Sequence, residues 1–191
     1  ACVVMNANPF TRGHRYLLEK AARDCEWLYV FVVSEDKGRF PAADRIELVR
    51  RGTADLPNVI VCPTGPYLIS QVTFPTYFLK DGENSALLQS KLDITLFASS
   101  IAPVLHITRR FAGEEPLDPV TACYNSAMRG ILPRYGIEFI EIPRLALGDA
   151  PVSASRVRAL IKRRQYREAQ LLVPEPTRRL IESLEDEDEA H

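Results

Sequence analysis

The chain opens on a strand, a tight turn and a helix within its first 25 residues, and that succession constrains the fold more than any other stretch. Val3-Val4-Met5 is an apolar, β-branched run of buried-strand type, and Leu17, Leu18, Ala21, Ala22 and Cys25 follow at helical spacing. Between them, Asn8 and Pro9 break the strand, and Gly13 lets the backbone approach a ligand where the helix starts. A helix N-terminus has free N–H groups and a positive dipole end, so it attracts phosphate. Thr11 and His14 add a hydroxyl and an imidazole there, giving Thr11-Arg12-Gly13-His14 the look of a polyphosphate grip. The plainer alternative is that Thr11 simply caps the helix.

Further along, strands and helices alternate. Residues 27–33 form an apolar run, a helix starts near Asp44 and ends at Gly52, and residues 59–62 read as a third strand. Residues 67–80 follow neither period, and residues 81–85 look like a surface turn. Residues 91–99 suit a helix, 104–108 a strand and 109–116 a charged loop. Residues 121–132 suit a helix and 137–142 a strand, with Pro143-Arg144 as its exit. Alternation of this kind implies a Rossmann-like parallel sheet covered by helices on both faces, with ligands at the carboxyl ends of the strands. Residues 1–164 are expected to form that domain, and 165–191 a helical extension with an acidic end.

With 24 basic and 25 acidic residues, no global field draws the protein to nucleic acid. Cys2, Cys25, Cys62 and Cys123 have neither metal-ligand spacing nor histidine partners, and are expected as core residues of a reducing compartment. Neither a membrane-spanning stretch nor a signal peptide is recognisable, so a cytoplasmic protein is expected, without membrane partners. The start at Ala1, directly on a strand, suggests a piece of a longer protein.

A second helix start lies at Val152-Ser153-Ala154-Ser155-Arg156-Val157-Arg158. Ser153 is a natural N-cap, and its neighbours supply donors at another anion-attracting helix end. Arg156, Arg158, Lys162, Arg163, Arg164 and Arg167 crowd the segment, either as a solvated face or as a partner site.

Together the two turns resemble those of the nucleotidylyl transferase superfamily. Within it, the resemblance is to the citrate lyase ligase family. It is carried by residues 6–14, 31–36, 73–78 and 110–116, by Tyr124-Asn125 and by Ser153-Ala154-Ser155, with Ala112 where Val is expected. Members usually carry an acetyltransferase-like domain in front, which this sequence lacks. The resemblance implies ATP-dependent acetylation, from acetate and through acetyl-adenylate, of the prosthetic-group thiol on the citrate lyase acyl carrier subunit, releasing AMP and pyrophosphate.

On that basis His14 and Thr11 are expected on the phosphates, with Asn6, Asn8, Phe10 and Gly13 forming the turn. Lys37 is expected to reach the triphosphate or else to be a solvated loop lysine. Ser153, Ala154, Ser155 and Arg158 are expected on the β- and γ-phosphates or the leaving pyrophosphate. Arg110, Glu114 and Asn125 are expected at the nucleoside end, unless Arg110 is structural and paired with Glu114 or Glu115. Residues 67–78 are expected to wall the acetate and arm pocket, and Mg2+ accompanies the ATP chemistry. Two alternatives stand: adenylyl transfer to a phosphorylated cofactor precursor, and a nucleotide-binding scaffold without activity.

Overall fold

A computed structural model of the chain describes residues 1–36, 39–70, 83–115, 118–148 and 150–189. Lys37, most of the aromatic segment from residue 71 on, Asp81, Gly82 and Pro116 lie outside the described residues.

Five parallel strands form the sheet in the order β3-β2-β1-β4-β5. They are β1 (Cys2–Met5), β2 (Leu28–Val32), β3 (Val59–Pro63), β4 (Arg109–Gly113) and β5 (Glu138–Ile142). The order reverses between β1 and β4, so the carboxyl ends diverge there and open the crevice in which doubly wound folds hold ligands. Both faces are covered, which is why the first strands read as continuous apolar runs rather than alternating ones. Val3, Met5, Val30 and Val32 pack on Leu18 and Ala21 of α1 (Arg12–Arg23) and on Leu48 and Val49 of α2 (Ala42–Gly52). Cys2 and Phe31 face the other way, onto α3 (Glu83–Leu96), the π turn Phe97–Ile101 and α4 (Pro119–Ile131), through Ile94, Phe97, Tyr124 and Met128.

The C-terminal helices α5 (Ala154–Lys162), α6 (Tyr166–Gln170) and α7 (Glu175–Glu189) share a third apolar cluster, in which Val157, Ile161, Tyr166 and Ile181 surround Phe40 and Val152. They are tied into the first turn by hydrogen bonds. The Arg12 backbone N–H donates to the Leu172 carbonyl (2.9 Å), and the Thr177 hydroxyl donates to the Phe10 carbonyl (2.8 Å). A short antiparallel pair, β6 (Ala146–Leu147) with β7 (Ala150–Pro151), precedes α5 and had no sequence signal. Among the described residues, no helix is long and apolar enough to cross a membrane.

Several local expectations are corrected. Residues 104–108 are not a strand: the Ile107 N–H bonds back to the Ala102 carbonyl and His106 takes φ +52°, closing the preceding helix. The strand is instead the charged stretch Arg109–Gly113, fixed by pairing Arg110 with Cys2 and Phe111 with Val3. Glu83, Asn84 and Ser85 lie in α3 rather than a turn. α1 stops at Arg23, so Cys25 lies beyond it, its thiol donating to the Ala21 carbonyl. Of the four free cysteines only Cys2 is fully buried.

Phe10 is buried against Gly52, where an added Cβ would sit 2.4 Å from the Phe10 ring. Gly52→Ala is therefore expected to force that ring aside and destabilise the fold by about 1–3 kcal/mol, as overpacked cores do. Urea denaturation with an unchanged midpoint would contradict this.

Candidate active site

The turn after β1 is built by side chains the sequence did not single out. Arg45, fully buried, donates to the backbone and side-chain oxygens of Asn6 (2.7 and 2.6 Å), to the Glu35 carbonyl (2.8 Å) and to the Phe40 carbonyl (3.1 Å). Its guanidinium thus gathers the carboxyl ends of β1 and β2 around one buried charge. Asn6 is accordingly a structural link here, with its amide oxygen turned to Arg45. Asn8 is another: its amide oxygen accepts from the Phe40 N–H (3.3 Å), and its carbonyl accepts from Arg158 (2.6 Å). Between them Ala7 sits at φ +49°, a left-handed conformation costly for a residue with a Cβ. The Asn8-Pro9 peptide is cis.

Thr11, 1% exposed, is the N-cap of α1. Its hydroxyl accepts from the His14 N–H (3.3 Å), and its own backbone N–H donates to His14 Nδ1 (3.0 Å). This is a reciprocal capping box with histidine in the place usually held by Glu or Gln. Thr11 therefore holds the imidazole. Because Nδ1 accepts a proton-bearing nitrogen, the neutral ring carries its own proton on Nε2. Phe10 lies nearly parallel to the imidazole, centroids 5.9 Å apart, and fixes its plane.

Gly13 has a different role from the one expected. A Cβ there would stand 2.9 Å from the Val152 carbonyl, so the missing side chain admits the backbone that leads into α5. The two helix starts are thereby brought side by side. At the second, Ser153 caps α5 by accepting from the Arg156 N–H (3.2 Å), Ala154 is the first helical residue, and exposed Ser155 accepts from Arg158 (3.3 Å).

Two cations face His14. Burial first, then the charges of Arg144 and Arg158, lower its pKa from 6.5 to about 4. At neutral pH the ring is an uncharged donor inside a positive field. Arg144, noted in the sequence only as a strand exit, leaves β5 and bonds the Glu114 carbonyl (2.6 Å) and the Glu115 carboxylate. Its place just past the carboxyl end of a parallel strand was the available signal. Arg45 offered none, since a lone Arg in a helix ordinarily reads as solvated.

The expected nucleoside-end residues do not gather at this point. Arg110 projects from β4 into the α3–α4 side of the core, 2% exposed, with its guanidinium 4.5 Å from the Phe97 ring centroid. It donates to the Tyr124 hydroxyl (3.1 Å), which donates to Asp93 (2.6 Å), itself accepting from the Ile69 N–H (2.8 Å). Neither Glu114 nor Glu115 pairs with it among the described residues; Arg144 takes that place. Arg110 Nη1 has no hydrogen-bond partner there, and the Phe97 π face meets its charge instead. Asn125 is buried, its amide donating to the Gly113 carbonyl and to Glu141 (3.0 Å each). Glu114 is exposed beside the crevice. Cys2 is buried deep in the strand, and its thiol is pushed up to about 11 by that burial against the opposing pull of Arg110. Among the described residues, no group of three or more His, Cys, Asp or Glu is placed to hold a metal.

Comparison with known proteins agrees with this architecture. The chain is 45% identical over 188 residues to the citrate (pro-3S)-lyase ligase of Escherichia coli (strain K12), covering 96% of this chain and 53% of that protein. It is 41% identical to the Haemophilus influenzae counterpart, covering 92% and 54%. It thus spans about half the length of the curated relatives it matches. In fold it is similar to Thermotoga maritima TmcAL, solved with alpha-thio ATP, at a TM-score of 0.57 and 16% identity, over 97% of this chain and 56% of that one. Residues 1–181 match the family of citrate lyase ligase C-terminal domains, and the chain belongs to it.

Proposed function

We propose that this chain forms acetyl-adenylate from acetate and ATP and passes the acetyl group to the thiol of the citrate lyase acyl carrier subunit. Its similarity to citrate lyase ligases supports the substrates. The observation that carries the chemistry is neutral His14, locked as an Nε2–H donor between Arg144 and Arg158 at two adjoining helix starts.

In the first step an acetate oxygen attacks the α-phosphorus of ATP, the bond to the bridging oxygen breaks, and pyrophosphate leaves with the electron pair. Acetate is already ionised, so positioning and charge neutralisation suffice without a protein base. His14 donates to a phosphate oxygen on which charge accumulates, while Arg158 and the helix start at Ser153 and Ser155 hold the departing pyrophosphate. In the second step the carrier's sulfur attacks the acyl carbon, AMP leaves, and the thiol proton is lost to AMP or solvent. Mg2+ would supply further neutralisation of the triphosphate when bound.

ATP–pyrophosphate exchange without carrier tests this reading: it should require acetate. Exchange only with a phosphorylated cofactor precursor would make the chain an adenylyltransferase, and ATP binding without exchange a scaffold.

His14→Gln separates catalysis from capping, because Gln at that position can still accept from the Thr11 N–H. Its exchange rate should fall about a hundredfold to a thousandfold with little loss of stability, whereas His14→Ala should lose both. Activity near wild type in His14→Gln would refute the assignment.

The imidazole also makes a pH prediction. Its folded pKa, about 4, lies below its ordinary 6.5, so the unfolded chain takes up the proton first. That contribution to stability is fully present above pH 6.5 and is lost as pH falls toward 4. Proton NMR of the nucleotide-free chain should show an imidazole that is still neutral at pH 5.5 and that is absent in His14→Gln.

A further inference from the structure

α5, α6 and the turn joining them carry Arg156, Arg158, Lys162, Arg163, Arg164 and Arg167 with no carboxylate between the first and the last of them; exposed Glu168 follows on α6. Arg158 turns into the site, and the other five are exposed. Among the described residues, Arg164 pairs with Asp188 on this face, long at 3.7 Å and exposed at both ends. Local physics does not account for the arrangement. The dipole of α5 favours Lys162 and Arg163 near its end, yet it disfavours Arg156 in a first turn that holds no acidic residue. Arg164 sits at φ +57°, a conformation in which Gly or Asn is the cheap choice. The opposite side of the same helices is apolar and buried through Val157, Ile161, Tyr166 and Ala169, so the cations stand on a fixed platform.

We propose that this face docks the acyl carrier subunit through a carboxylate-rich surface on that partner. The proposal rests on the acetyl-transfer reading and supplies its missing protein contact. α5 starts at the phosphate turn and rises about 13 Å to the centre of the cationic face, so a flexible thiol arm from a partner seated there enters the crevice along one helix. The face suits a compact acidic protein better than a nucleic acid. The acidic end of α7 borders it, with Asp188 on Tyr166 and Glu185 on Gln170, and a phosphate backbone running past would meet those carboxylates.

The test is binding of fluorescently labelled carrier subunit, by anisotropy at low and high salt, to the wild-type chain, Arg163→Glu/Arg167→Glu and Arg163→Lys/Arg167→Lys. Charge reversal should weaken Kd about tenfold or more and flatten its salt dependence, while the lysine pair retains binding. Unchanged affinity and salt slope in the reversed variant would overturn the proposal. So would a random-sequence RNA whose binding the reversed variant loses while carrier affinity stays the same. Acetate-dependent exchange without carrier should be equal in all three proteins. Its absence from the wild type would count against the adenylation reading alone, because carrier binding is read without turnover.

Discussion

The close approach of the Val152 carbonyl to Gly13 sets the geometry on which the rest of the site depends. A parallel sheet by itself supplies one helix start at the end of β1. The second belongs to α5, far along the chain, and reaches the first because position 13 has no side chain to hold it off. The C-terminal helices follow: once Val152 is seated, Val157, Ile161 and Tyr166 close around Phe40, and the segment after α6 is drawn onto Arg12 and Phe10. The helical extension thus buttresses the turn that opens α1.

That geometry brings positive charge together, and the chain treats it in two ways. Arg45 is buried and fully engaged with carbonyl and amide oxygens, which satisfies its donors in a place where an unpaired guanidinium would be costly. Arg144 and Arg158 stay at the crevice, each anchored by backbone carbonyls. Burial first, and then repulsion from both cations, keeps the His14 ring neutral. The result is a set of donors held in place by the protein's own hydrogen bonds.

Much of this was legible in the sequence because local signals and tertiary structure agree. The β-branched run of β1, the cap at Thr11 and the cap at Ser153 each lie where the residues alone place them. The failures come from long-range contacts. Arg109-Arg110 reads as loop because charge argues against a buried strand, yet Arg109 is met by Glu138 and Asp24, and Arg110 by the Phe97 and Tyr124 rings. Val104 to Ile107 reads as strand from its apolar content, although a left-handed His106 makes it a helix closure. Partners 13 to 85 residues away decide the first case, beyond the window over which a strand is read from sequence.

The motif Thr11-Arg12-Gly13-His14 admits both the plain reading, a helix cap, and the chemical one, because the same atoms do both. The bond that satisfies the Thr11 N–H occupies Nδ1 and so leaves the proton on Nε2. A Glu at His14 would cap equally well but would bring negative charge to the two adjoining helix starts, and a Gln would cap without an imidazole. Histidine is the residue that closes the capping box while presenting a neutral ring donor outward. Gly13, in turn, is required by the close approach of Val152. Thr11, Gly13 and His14 are thus each constrained by the protein's own packing, and the outward ring donor is a property of the folded turn itself.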